Sequence, residues 1–78
     1  MKFTNKSLGD FEIQTKDDLG DLISQLVNKD VEDYRFADDE RGECPKGYNY
    51  LFQLKFEDED GFWTVGYSDT NLIDILET

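Results

Sequence analysis

Histidine is absent from this 78-residue chain, which has one cysteine, one proline and only eight basic residues against nineteen acidic ones. Each shortage removes a class of chemistry. Without histidine and with a single thiol, a zinc or iron site has almost no ligand supply. Cys44 also lacks the activating base that would make it a nucleophile, and it has no partner for an internal disulfide, so nothing points to an oxidising compartment. Its expected place is an inert loop position beside Pro45. No phosphate-cradling glycine loop occurs. Paired carboxylates could do acid and base work only in a cleft that separates their pKa values, and a chain this short has little room for one. No catalytic residue and no cofactor is therefore expected. The start, MKFTNKSLGDF, has no apolar stretch of signal-peptide length, and no run approaches a membrane span, which implies a cytoplasmic protein.

The shortage of positive charge leaves a formal net charge of −11. Nucleic acid and anionic membrane surfaces repel such a chain, so direct binding to either is disfavoured and a basic partner is favoured. Solubility alone asks for a net charge of only about 2 to 8 in a small domain. A hydrophobic fraction of 37% and an aromatic fraction of 14% are nevertheless enough for one compact core, so residues 1–78 read as a single ordered domain.

Periodicity gives the organisation. KFTNKSLGDFEIQT predicts a hairpin, with Phe3, Phe11 and Ile13 flanking a turn at Ser7, Leu8 and Gly9. Leu19, Leu22, Ile23, Leu26 and Val27 fall on one helical face, with Thr15 as N-cap and Asp18 completing a capping box. VEDYRFA predicts a strand with Tyr34 and Phe36 on one side. In YNYLFQLKFE, Tyr48, Tyr50, Phe52, Leu54 and Phe56 alternate with mostly polar residues, the period of a half-buried strand. A four-residue turn at 58–61 would set Phe56 against Trp63, Leu54 against Val65 and Phe52 against Tyr67. SDTNLIDILET predicts a short closing helix carrying Leu72, Ile73, Ile75 and Leu76. The expected fold is α+β: a small antiparallel β-sheet with one main amphipathic helix packed on one face and a short C-terminal helix, in the order ββαβββα.

Acidic runs are the remaining feature. DEDG has the look of a calcium loop, but an EF-hand aligned on Gly61 would need carboxylates where the chain has Phe56 and Tyr67, and alignment on Gly42 puts Ala37 at the first position. No dedicated metal site is expected. The aromatic row is needed for the core, which argues against a base-stacking platform. The topology instead gathers Asp30, Glu32 and Asp33 with Glu57, Asp58, Glu59 and Asp60 at one end of the sheet. Asp38, Asp39, Glu40 and Glu43 come together at the other end, near Asp69. A strand of about ten residues between them implies a separation of roughly 30 Å. Asp17 and Asp21 add charge along the helix, and Phe62 and Leu51 are the expected apolar contacts near the tips.

With its small size, strong acidity and the runs ADDERGE and EDEDG, the chain resembles the small acidic inhibitors carried by phages and mobile elements, including anti-CRISPR and anti-restriction proteins that mimic nucleic acid. The resemblance implies a non-enzymatic inhibitor acting in a host cytoplasm. Its partner would be a basic nucleic-acid-binding protein such as a CRISPR effector or restriction nuclease, met by the carboxylates just named. A generic interaction or regulatory domain, including an immunity protein or antitoxin, whose acidity serves solubility, is the alternative.

Overall fold

The computed structural model describes residues 1–71. Its elements are β1 (Lys2–Asn5), β2 (Gly9–Glu12), α1 (Lys16–Leu26), β3 (Val31–Asp38), β4 (Tyr50–Phe56) and β5 (Trp63–Ser68). The strands form one five-stranded sheet in the order β2-β1-β5-β4-β3, with every pairing antiparallel. The α+β class and the ββαβββ order match the sequence reading. The expected C-terminal helix, with its apolar residues at 72–76, lies outside the described residues. Because β2 and β3 occupy opposite edges, the chain must cross the sheet between them, and the connection carries α1.

Capping fixes where α1 begins. Thr15 is extended, its Oγ1 accepts the Asp18 N–H at 3.2 Å, and the Asp18 carboxylate accepts the N–H groups of Gln14 and Thr15 at 2.9 and 3.1 Å. The Gln14 N–H is the chief reason that the Asp18 carboxyl sits below its usual range, and the negative charge also favours the helix N-terminus. Thr15→Ala should therefore cost about 1 kcal/mol, read as a lower urea midpoint at unchanged slope, while Thr15→Ser should leave the midpoint almost where it is.

Leu19 and Leu22 bring the buried helix face onto Phe3, Ile13, Phe52, Leu54 and Phe56. Phe52 is the centre of this core. The Phe3 ring meets it edge-on at 5.6 Å between centroids, and Phe36 stacks on it at 4.9 Å.

The β4–β5 register differs from expectation. Leu54 pairs with Trp63, Phe52 with Gly66 and Leu51 with Tyr67, with an irregularity that leaves Val65 unpaired. The cause is Phe3. A Cβ on Gly66 would run into the Phe3 ring, reaching its Cζ and lying 2.8 Å from its Cε2, and it would lie 2.8 Å from the Thr4 carbonyl. Glycine at this site lets the ring occupy the volume over β5 that the expected register assigned to Tyr67. Pairing with Leu51 and Thr4 places Tyr67 on the opposite, outer face instead. The Val65 carbonyl at the irregularity accepts from Asn5 Nδ2 at 2.5 Å, while Asn5 Oδ1 takes the Ser7 and Leu8 N–H groups and closes the β1–β2 turn.

Tyr48 is a second correction. It precedes β4, and its hydroxyl donates to Asp10 Oδ1 at 3.3 Å, with Lys2 Nζ 5.6 Å from its ring centre. Asp10 and Lys2 alternate with the core-facing Phe11 and Phe3, so Tyr48 lies over the outer face and not in the core row.

Candidate functional site

The turn after β4 and the start of β3 meet, as the sequence implied. The Glu57 N–H donates to the Asp30 carbonyl at 3.1 Å, so Asp30, Glu32 and Asp33 share one end of the sheet with Glu57, Asp58, Glu59 and Asp60. Two lysines temper this end. Lys29 Nζ lies 3.8 Å from Asp58 Oδ2 and 3.7 Å from Glu59 Oε2, and 5.4 Å from the centre of the Phe56 ring. Lys55 forms an ion pair with Glu32, and that bond is the main reason its ammonium pKa is raised. Asp33 Oδ1 accepts the Tyr34 N–H at 2.8 Å. A reading concentrated on the acids missed both lysines, although Lys29 directly precedes Asp30 and Lys55 alternates with the core residues Leu54 and Phe56.

At the other end the carboxylates divide into two kinds. Asp39 is turned inward: Oδ1 accepts the Glu43 N–H at 2.7 Å and Oδ2 the Cys44 N–H at 2.9 Å. These bonds shape the loop. The Cys44 N–H, with that of Glu43, holds the Asp39 carboxyl below its usual range. Burial, with Asp39 alongside, pushes the Cys44 thiol up to about 11, so it stays protonated at neutral pH. Asp38, Glu40 and Glu43 are exposed, and among the described residues their carboxylates enter no ion pair.

The Asp39 geometry gives a signed pH dependence. Its folded-state pKa lies below the ordinary value, so the loop bonds add stability at pH above the ordinary carboxylate range. That contribution is lost as pH falls through the lowered folded value. An acid titration followed by NMR should show the Glu43 and Cys44 amides moving together at a pH below the midpoint of an ordinary aspartate. Asp39→Ala should remove that transition and leave both amides displaced already at neutral pH.

This loop borders an open groove of about 580 Å³ on the outer face of the sheet. Ala37 and Leu51 are apolar, half-buried groups in its lining, which Gln53 and Thr64 share. Arg35 and Arg41, the only arginines in the chain, line it together with Asp38, Glu40 and Glu43. Arg35 is held in place: its Nε donates to Gln53 Oε1 at 2.8 Å, its guanidinium lies 3.8 Å from the centre of the Phe62 ring, and Gln53 Nε2 donates to Thr64 Oγ1 at 3.1 Å. Phe62 and Leu51, expected as exposed anchors, are both half-buried. Trp63, expected opposite Phe56 in the core, is 54% exposed.

The two acidic ends are closer than a ten-residue strand would set them. β4 has seven residues and so spans about 20 Å at about 3.4 Å per step. The described residues hold no group of three or more His, Cys, Asp or Glu side chains disposed around a metal position, and no helix among them is long and apolar enough to cross a membrane. No protein-family model, curated protein or solved structure matches the chain.

Proposed function

We propose that the protein is a non-enzymatic inhibitor whose carboxylates stand in for the phosphates of a nucleic acid before a basic surface, blocking DNA or guide binding by a protein such as a CRISPR effector or restriction nuclease. One observation carries the reading. Among the described residues the only basic side chains in ion pairs are Lys29, before β3, and Lys55, in β4, which meet Asp58, Glu59 and Glu32, so most of the described carboxylates have no ion-pair counterpart within the chain. Repulsion among those groups costs the free protein stability and is relieved when a partner's Lys and Arg side chains arrive. Such a design predicts fast association that weakens steeply with salt.

The test is affinity capture from a bacterial lysate at low salt, elution at high salt and mass spectrometry of the eluate. A nucleic-acid-binding protein released by salt, and displaced by duplex DNA or guide RNA, is the expected result. A partner retained at high salt and indifferent to nucleic acid would instead support an interaction or regulatory domain, a reading that exposed Trp63 favours because its contact is neutral. Contact through the free edge of β3 is less suited to that role. The Asp33 carboxylate occupies the Tyr34 N–H, and the pairing is irregular between Val31 and Asp33, both features that guard a strand edge.

A further inference from the structure

We infer that the free edge of β3 pairs with the same edge of a second copy of this chain, the strands running antiparallel about an axis at Phe36. Residues of an antiparallel strand alternate between those whose N–H and C=O face the neighbouring strand and those whose groups face away. The Tyr34 N–H donates to Asp33 Oδ1 at 2.8 Å, and the Asp38 carbonyl accepts the Glu40 N–H at 3.0 Å. Tyr34, Phe36 and Asp38 therefore turn their backbone groups away from β4, to the edge that no described strand covers. The groups left open there are, in order, the Tyr34 C=O, the Phe36 N–H and C=O, and the Asp38 N–H.

That order is its own complement. With Phe36 opposite the copy's Phe36, each Phe36 N–H meets the other Phe36 C=O and each Asp38 N–H meets the other Tyr34 C=O, so every open group finds a partner. The remaining bond of that register, from the Tyr34 N–H to the copy's Asp38 carbonyl, is not needed, because both of its members are already satisfied inside each chain. An unrelated strand would bury a carbonyl against the occupied Tyr34 N–H. The features that turn such strands away thus admit a copy. Tyr34 is 38% exposed and Phe36 is half-buried on the Phe52 ring, so pairing also brings apolar side chains together on the core side of the joined sheet. Each chain carries a formal net charge of −11, which opposes the pairing until salt screens it. Salt separates this inference from the inhibitor reading, on which it does not depend: screening weakens carboxylate contact with a basic partner and strengthens self-pairing.

The experiment is sedimentation equilibrium of the full chain over a concentration series at low and high salt, with amide hydrogen exchange followed by NMR. A monomer–dimer equilibrium that tightens several-fold with salt is expected, with exchange at Phe36 and Asp38 slowing in the dimer. Asp38→Pro removes an edge N–H that has no partner within the chain, and Asp38→Asn removes the same charge but keeps that N–H. The proline variant should weaken the dimer about tenfold or more, since it deletes half of the pairing bonds, while the asparagine variant should dimerise at least as tightly as wild type. Equal dimerisation by the two variants, or a wild-type dimer in which Phe36 and Asp38 exchange as fast as in the monomer, would overturn the inference. So would a chain that stays monomeric at millimolar concentration in high salt, or one whose edge amides are protected only when a different protein is added.

Discussion

Gly66→Ala is expected to lower the melting temperature by about 10 to 20 °C, from a destabilisation of about 2 to 3 kcal/mol at about 4 to 8 °C per kcal/mol in a domain of this size. The added methyl meets two kinds of obstacle. One is the Phe3 ring, a side chain with no exposed surface, and the other is the Thr4 carbonyl, which is backbone in the neighbouring strand. A flexible side-chain tip could move aside, but Phe3 is wedged against Phe52 and the carbonyl belongs to the β1–β5 pairing. Phe3→Leu in the Gly66→Ala background should recover part of the loss, since the smaller side chain frees space over β5. The two substitutions would then couple by more than independent sites do. Thermal unfolding followed by circular dichroism measures both; an unchanged melting temperature for Gly66→Ala would mean that Phe3 does not cover β5.

That pair also shows what the sequence could and could not disclose. The helix was legible because its determinants are local: a cap, a carboxylate three residues on and five apolar residues on one face. The β1–β2 hairpin and the alternation in β4 were legible for the same reason. The β4–β5 register was not, because what decides it is a ring 63 positions away in the chain, Phe3 over Gly66. Alternation alone assumed an unbroken pleat and so assigned Tyr67 to the core, where the structure has Gly66 and Ser68 facing inward. At the site, which carboxylates gather at each end followed from strand connectivity. That Asp39 turns inward, and that Lys29 reaches across to Asp58 and Glu59, depends on loop geometry that residue type does not encode. The outer-face groove was hidden altogether, because Arg35, Leu51, Thr64 and Arg41 come from four separate segments.

Reversing Asp38, Glu40 and Glu43 to lysine, or separately Asp58, Glu59 and Asp60, is expected to slow association with the captured partner by about tenfold or more at low salt, since each reversal changes the net charge equally and electrostatic steering changes on-rates by about 10 to 1,000-fold. Both ends hold cations as well as acids, Lys29 and Lys55 at the end with the β4–β5 turn and Arg35 and Arg41 along the groove beside the loop. The two variants should differ in folding instead. New lysines at 58 and 59 would face Lys29 and replace attraction with repulsion, so that variant should lose some stability of its own, while the loop variant keeps the Asp39 bonds that hold the 39–44 turn. Stopped-flow association over a salt series, alongside thermal melts of both variants, separates binding from folding. As salt rises, the wild-type rate should fall towards that of the loop variant, because screening removes the long-range attraction that the reversal removes chemically. A loop variant that associates as fast as wild type at low salt would show that these carboxylates face solvent in the complex, and the phosphate-imitating role would then have to rest on the β4–β5 turn alone.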